Sequence, residues 1–421
     1  MGRTLSGGRS GLFGLLAALS LTAAACGGGT GAGGGGTTQT GPDIIVGEAL
    51  AATGQDAKEG GLTKQGVQIW LDWVNKTQGG VTVNGVKHKV QVLFEDDGSK
   101  PDQSATLDQR LITEDKAQFL LGPYGSSATA TAAVIAEKNQ IPMVEGEGAS
   151  LSIFNKGYQW TFGTISPANL YLKGVLDMAD GLSPKPAKVA LLSADDSFSL
   201  DVSKAVEQYA PTKGFQIVFD QKYPNGSTNL SGLVSQAKGT NPDMVLNSGH
   251  LAEAVAINKA AQQLDLNAKL FAYTVGPSTP DFVNSLGAQA NFVVSPSQWT
   301  PAVKYRPQFF YTVPQYVAAY KRLFNTPDDP DYHVAGGTSA GLALQRAIET
   351  AGSTDPDKVR SALVKLNVTT FFGVIAFNSQ GYNDKKPMVV EQIQSGKHVT
   401  IYPPDVANAR IQYPAAPWSQ R

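Results

Sequence analysis

The chain has 421 residues, 42% of them hydrophobic, which is enough for two ordinary domains with separate cores. A formal net charge of -1 and a charged fraction of 16% exclude nucleic acid as a partner, because chains that neutralise phosphates cluster Lys and Arg. A single cysteine excludes an intrachain disulfide.

At the N-terminus, Arg3 and Arg9 precede an apolar segment, Gly11 to Ala25, that closes on the small residues Ala23, Ala24 and Ala25. This pattern predicts an export signal over 1–25, too short at roughly 15 apolar residues for a membrane span. Cys26 follows directly, and its setting resembles the lipobox of bacterial lipoproteins, with Ala23 where Leu is commoner. The resemblance implies acylation of Cys26 and anchoring at the extracytoplasmic face of the membrane. Residues 26–42, including "GGGTGAGGGGTTQTGP", have almost nothing to bury and read as a flexible tether spanning about 20 to 25 Å.

From Asp43 the chain alternates short apolar runs with longer amphipathic ones, the mark of strand–helix units on a parallel sheet. Strands are predicted at 44–47, 90–95, 119–122 and 142–145, with helices at 62–76, 102–114 and 126–138. After "YQWTFGTISP" a second series places strands at 189–193, 216–220, 244–247, 270–273 and 292–294. Helices fall among them at 169–182, 200–209, 230–237, 252–264 and 281–286. Beyond Pro296 come three helices without intervening strands, at 314–324, 334–351 and 355–365. "FFGVIAF" (371–377) reads as one strand, and 389–403 as a hairpin turning at Ser395 and Gly396. The proline-rich tail, 402–421, is expected to wrap the surface.

The fold class is therefore α/β, with two doubly wound lobes: 43–163 plus 297–372, and 164–296 plus 373–421. Chain crossings near 163–166, 294–297 and 373–376 would form a three-stranded hinge around a cleft.

The ordered set "IIVGEALAATG", "VLFEDDGSKPDQS", "LLGPYGSSATATAAVIAEKNQIPMVEGEGAS", "VALLSADDSFS" and "FFGVIAF" resembles the type I periplasmic binding proteins of the branched-chain amino-acid family, the substrate-binding subunits of ABC importers. The resemblance covers Asp43 to about Pro403. It implies no enzymatic activity and no cofactor, with a small-molecule ligand in the interlobe cleft and ABC permease subunits as partners. An extracellular sensor of the same fold is the alternative that the chain's chemistry does not separate.

The stretch "GPYGSSATATAA" (122–133) reads as strand, turn and helix start, where unpaired amides and the helix dipole favour an anion. The resemblance implies that Ser126, followed by Ser127, holds a ligand carboxylate; the rival reading is that Ser126 caps its own helix. It also implies a second contact loop at "EGEGAS", best matched by Gly148, Ala149 and Ser150. In lobe two, Phe198, His250 and Thr274 are the implied contacts. Departures bear on the ligand: Phe198 replaces a common Tyr, Thr274 or Val275 stands where an acid commonly meets the ligand amine, and Glu59 stands where an aromatic residue is common. Glu145 and Glu147 either pair with a ligand cation or face solvent, and Asp195 or Asp196 either meets the amine or caps a helix. An amino acid, a small organic acid and an amide all remain open as ligands.

"GTSAG" (337–341) matches the G-x-S-x-G nucleophile elbow, but it runs into the amphipathic stretch "LALQRAIETAG" where a strand and sharp turn are required. Ser339 is accordingly expected inside a helix. The four histidines, His88, His250, His333 and His398, lack paired metal-ligand spacing. Glu95 to Asp97 read as a strand end and turn, without the alternating acids of a calcium loop.

Overall fold

A computed structural model describes residues 40–421; the export signal, most of the tether and Cys26 lie outside the described residues. The first series runs β1 (Ile44–Leu50), α1 (Ala57–Asp72), β2 (Val81–Val83), β3 (Val86–His88), β4 (Val90–Asp96), α2 (Pro101–Thr113), β5 (Phe119–Leu121), α3 (Ser126–Asn139), β6 (Met143–Glu145), α4 (Leu151–Phe154) and β7 (Thr161–Gly163). The second runs α5 (Lys173–Asp180), β8 (Lys188–Ala194), α6 (Ser197–Tyr209), β9 (Gln216–Tyr223), α7 (Ser231–Gly239), β10 (Met244–Ser248), α8 (Leu251–Gln263), β11 (Leu270–Tyr273), α9 (Pro280–Leu286) and β12 (Val293–Ser297). The chain ends with α10 (Val313–Phe324), α11 (Tyr332–Ala351), α12 (Pro356–Val364), β13 (Asn367–Thr370), β14 (Gly373–Ala376), β15 (Val389–Gln394) and β16 (Lys397–Tyr402). No helix of the described residues is long and apolar enough to cross a membrane.

Besides the two-stranded pairs β2/β3 and β13/β14, two large sheets result, in the orders β4-β1-β5-β6-β7 and β16-β15-β12-β11-β10-β8-β9. All neighbours in the first are parallel, and in the second only β15 runs against the rest, pairing antiparallel with both β12 and β16. Central strands such as "FLL" of β5 and "MVLNS" of β10 are buried throughout, as strands covered by helices on both faces must be. Each sheet reverses its winding direction once. In the first the reversal lies between β1 and β5, and in the second between β8 and β10. The carboxyl ends at such reversals are where open α/β sheets leave a crevice.

Helices α1 and α11 pack face to face across "GTSAG". A side-chain carbon on Gly66 would strike the Val334 carbonyl, one on Gly337 the Thr63 carbonyl, and one on Gly341 the Trp70 ring. These glycines permit close helix approach. Ser339 is fully buried inside α11, donating to Gly336 O at 2.8 Å and lying 2.7 Å from Thr164 Oγ1, with no elbow around it.

Two expectations need correction. "FFGVIAF" is not one strand: Phe371 and Phe372 form the turn of a β13/β14 hairpin, where Gly373 takes φ +115°. The chain also stays with the first sheet longer than the 372/373 boundary implies. Phe377 packs on Phe162 at 5.2 Å, and Tyr382 bridges Gly163, so the third passage begins after Tyr382. The passages are tied by a buried polar knot. Ser166 N donates to Gln298 Oε1 at 3.0 Å, Gln298 Nε2 returns to Ser166 O at 2.9 Å, and Ser166 Oγ donates to Lys386 O at 2.7 Å. Lys386 Nζ in turn donates to Gln298 O and Oε1.

Candidate functional site: the interlobe cleft

The two winding reversals face each other. From lobe one come the segments after β1 and β5, carrying Asp56, Tyr124, Ser126 and Ser127; from lobe two come those after β8 and β10, carrying Asp196, Phe198 and His250. The ends meet through Tyr124 Oη to His250 Nδ1 at 2.9 Å, Ser127 Oγ to Ser197 Oγ at 3.2 Å, and Leu251 N donating to Glu59 Oε1 at 3.2 Å. Behind a mouth of about 60 Å³ lined by Asp56, Ser127 and Asp196, the ends enclose an inner cleft of about 10 Å³, walled by Tyr124, Tyr171, Phe198, Tyr332, His250 and His333. That is room for roughly one water.

Helix α3 begins because Gly125 adopts φ +85°, ψ 142°, a backbone state that side-chain-bearing residues rarely take. The first amide bonded within the helix is that of Thr129, to Gly125 O, so the amides of Ser126, Ser127 and Ala128 precede the ladder at the positive end of the dipole. Ser126 does not cap its own helix: its Oγ accepts from Ser150 N at 3.0 Å, joining the two contact loops.

The charges are specific. Burial opposes the His250 imidazolium, but Asp196 (3.4 Å from Nε2), together with Asp56 and Glu253, raises its pKa to about 10. His250 is therefore a cation over the cleft. His333 is the opposite case, pushed down to about 3 by burial and by the His250 charge. Its Nδ1 lies 2.9 Å from Glu147 Oε2, and burial holds Glu147 well above the carboxylate range. The geometry alone resembles an ion pair, but both shifts put the shared proton on Glu147, leaving a neutral acid against a neutral imidazole. Glu145, raised to about 8 by burial, accepts from the amides of Glu147 and Gly148. Neither glutamate faces solvent. Glu59, raised to about 7 chiefly by burial, has Oε2 without a partner among the described residues.

Of the residues expected from sequence, Ser126, Phe198 and His250 wall the cleft, and Ser127 lies at its mouth. Ala149, Ser150 and Thr274 are drawn away into supporting contacts. Ala149 O accepts from Ala168 N, Ser150 Oγ donates to Asp201 Oδ2 at 2.6 Å, and Thr274 Oγ1 donates to Gly249 O at 2.8 Å while accepting from Gly249 N. Val275, not Thr274, reaches the cleft wall. Asp196 caps α6 through Ser199 N at 3.0 Å besides pairing with His250. Tyr124, Tyr171, Tyr332 and His333 were not anticipated. Tyr124 had a signal, since it stands between β5 and the start of α3; Tyr332 and His333 arrive on a helix far along the chain.

A family profile described as "Periplasmic binding protein" matches residues 43–397. The chain is 24% identical over 388 residues to Leu/Ile/Val-binding protein homolog 8 of Brucella abortus (strain 2308), covering 88% of this chain and 93% of that protein. Its fold is similar to that of a leucine binding protein from Thermotoga maritima, with TM-score 0.75 and 21% identity over 86% of this chain and 99% of that one. It is also similar to a solute binding protein of an ABC transporter from R. palustris, in complex with 4-hydroxybenzoate, with TM-score 0.73 and 20% identity over 85% of this chain and 95% of that one. Two doubly wound lobes whose winding reversals enclose a cleft, matched by one family's profile along nearly the whole described chain, identify this protein as a member of the periplasmic binding protein family.

Proposed function

We propose that the chain is the solute-capturing subunit of an ABC importer, held at the outer face of the cell membrane through lipid on Cys26, and that its ligand is a small organic carboxylate. The observation that carries this reading is the pairing of the free amides of α3 with the His250 imidazolium across a ring-lined cleft. The carboxylate is received by the amides of Ser126 to Ala128 and by His250, and the apolar body lies among Tyr124, Tyr171, Phe198 and Tyr332. Ser127, Ala149, Ser150 and Thr274 act by shaping these loops. The 4-hydroxybenzoate of the R. palustris protein is a carboxylate with a flat apolar body, which suits such walls. Entry requires the lobes to part, since the closed cleft has room for about one water. Closure then follows only for ligands that add contacts to both lobes.

One observation favours an amino acid instead: Glu59, which bridges the lobe ends through Leu251 N, keeps Oε2 without a partner among the described residues and would receive an ammonium group once the lobes part. A thermal-denaturation panel of benzoate, 4-hydroxybenzoate, leucine and isoleucine separates the two readings. A true ligand at a hundred times its Kd stabilises the protein by about 2.7 kcal/mol. Ser126→Ala is expected to weaken the responding ligand about tenfold or more; a response untouched by both Ser126→Ala and His250→Ala would sink the site. Mass spectrometry of the mature protein checks the lipid on Cys26.

A further inference from the structure

Tyr332 forms part of the wall of a second cavity, of about 80 Å³, between the lobes. Thr300, Thr400 and Asn408 line it while bonding among themselves, and the rest of its polar lining comes from the entry to α11 (Asp329, Asp331), the β15/β16 pair (Glu391, His398) and the loop before α9 (Ser278), with Trp299 as an apolar wall. Asp329 is neutralised by Lys321 at 2.7 Å. The others are not so answered. Asp331 uses Oδ1 to cap α11 through Val334 N at 3.1 Å, while its Oδ2, Glu391 Oε1 and Ser278 Oγ have no partner among the described residues. These three residues are only 8%, 6% and 4% exposed. His398 donates Nε2–H to Pro277 O at 2.7 Å, and burial lowers its pKa, so its Nδ1 keeps a lone pair. Once ionised, Asp331 and Glu391 would be pure acceptors beside the His398 lone pair, and burial makes either carboxyl costly to ionise alone, without a cation between them.

A cation with N–H donors answers that arrangement. A bare metal ion does not, because no group of three or more His, Cys, Asp or Glu among the described residues is arranged to hold one. By volume the cavity takes about five water-sized atoms, a short alkyl ammonium with its carbon end on Trp299. We infer that this cavity binds a small primary ammonium ion, received by Asp331 from lobe one and Glu391 from lobe two, and that the bound cation ties the closed lobes together. The site is separate from the proposed carboxylate site and does not depend on which solute the cleft takes.

Ethylammonium chloride is the probe, titrated into the full-length protein by calorimetry and by tryptophan fluorescence, against sodium and potassium chloride at equal ionic strength. Saturable binding is expected for ethylammonium alone. Glu391→Gln and Asp331→Asn should each weaken it at least tenfold; both keep side-chain shape, and Asn still caps α11. Thermal denaturation verifies that each variant is folded, and Ser126→Ala should leave ethylammonium binding intact while it weakens the cleft ligand. The inference is overturned by the absence of saturation at tens of millimolar, by equal binding of sodium or potassium, or by binding that both folded variants retain.

Discussion

His250 and His333 carry the same imidazole and both face Tyr124, at ring distances of 6.0 and 5.5 Å, yet they are held in opposite protonation states. The difference is the partner. Asp196 is kept ionised, below the ordinary carboxylate range: burial opposes this, but the His250 charge and the α6 cap outweigh it. Glu147 is kept neutral by burial and by neighbouring Asp331 and Glu145. Asp196→Asn removes the stabilising charge, so the His250 titration seen by NMR is expected to fall from about 10 by about 1 to 3 units. No movement would mean that Asp196 is not the dominant partner. The carboxyls were legible in sequence as an oddity beside an anion pocket. Their state was not, because burial and a contact 186 residues away decide it.

Among the elements, α1 and α11 show why a catalytic-looking motif is not catalytic. "GTSAG" supplies small residues where backbone meets backbone. Gly66→Ala would force the carbon against the Val334 carbonyl, and rigid overpacking of this kind costs about 1 to 3 kcal/mol or more. Gly61 on the same helix has nothing within 4 Å of an added carbon, so Gly61→Ala is expected to stabilise by up to about 1 kcal/mol through helix propensity. Urea unfolding of the pair tests the packing account, which fails if both variants shift alike. Most strands and helices were legible because their hydrophobic periods are local. The β2/β3 hairpin and β7 were missed because their three-residue strands, "VTV", "VKH" and "TFG", are broken by polar residues; β5 and β6 are equally short but lie in the apolar runs 119–121 and 141–144.

At the scale of the whole molecule, lobe one stores protons in buried carboxyls. Burial raises Glu59 to about 7, and Asp108 and Glu145 to about 8; Asp331, beside the second cavity, is raised to about 7. Above the ordinary carboxylate range the unfolded chain has released these protons while the folded chain retains them. Stability therefore falls as pH rises from about 4.5 toward the folded values, by up to about 1.4 kcal/mol per unit for each group. His333, lowered to about 3, and His398, also lowered by burial, act in the opposite sense below their ordinary value of 6.5, but they are two groups against four. His250 adds to the decline above 6.5, and Lys386, lowered to about 7 by burial, opposes it only above 7. The urea midpoint is expected to be higher at about pH 5 than at pH 7; a midpoint that rises over that interval would show that these carboxyls ionise in the folded state.

The sequence by itself determined the alternation of strands and helices, the doubling of the sheet and the placing of Ser126 at a helix start, since each depends on side chains a few residues apart. Only the tertiary structure decided that Ser126 serves Ser150, that Thr274 turns inward, and that Tyr332 and His333 complete the cleft. Those outcomes depend on which strand ends the winding reversals bring together and on how far burial removes each charge from water. Both are properties of the assembled fold, which local spacing does not encode.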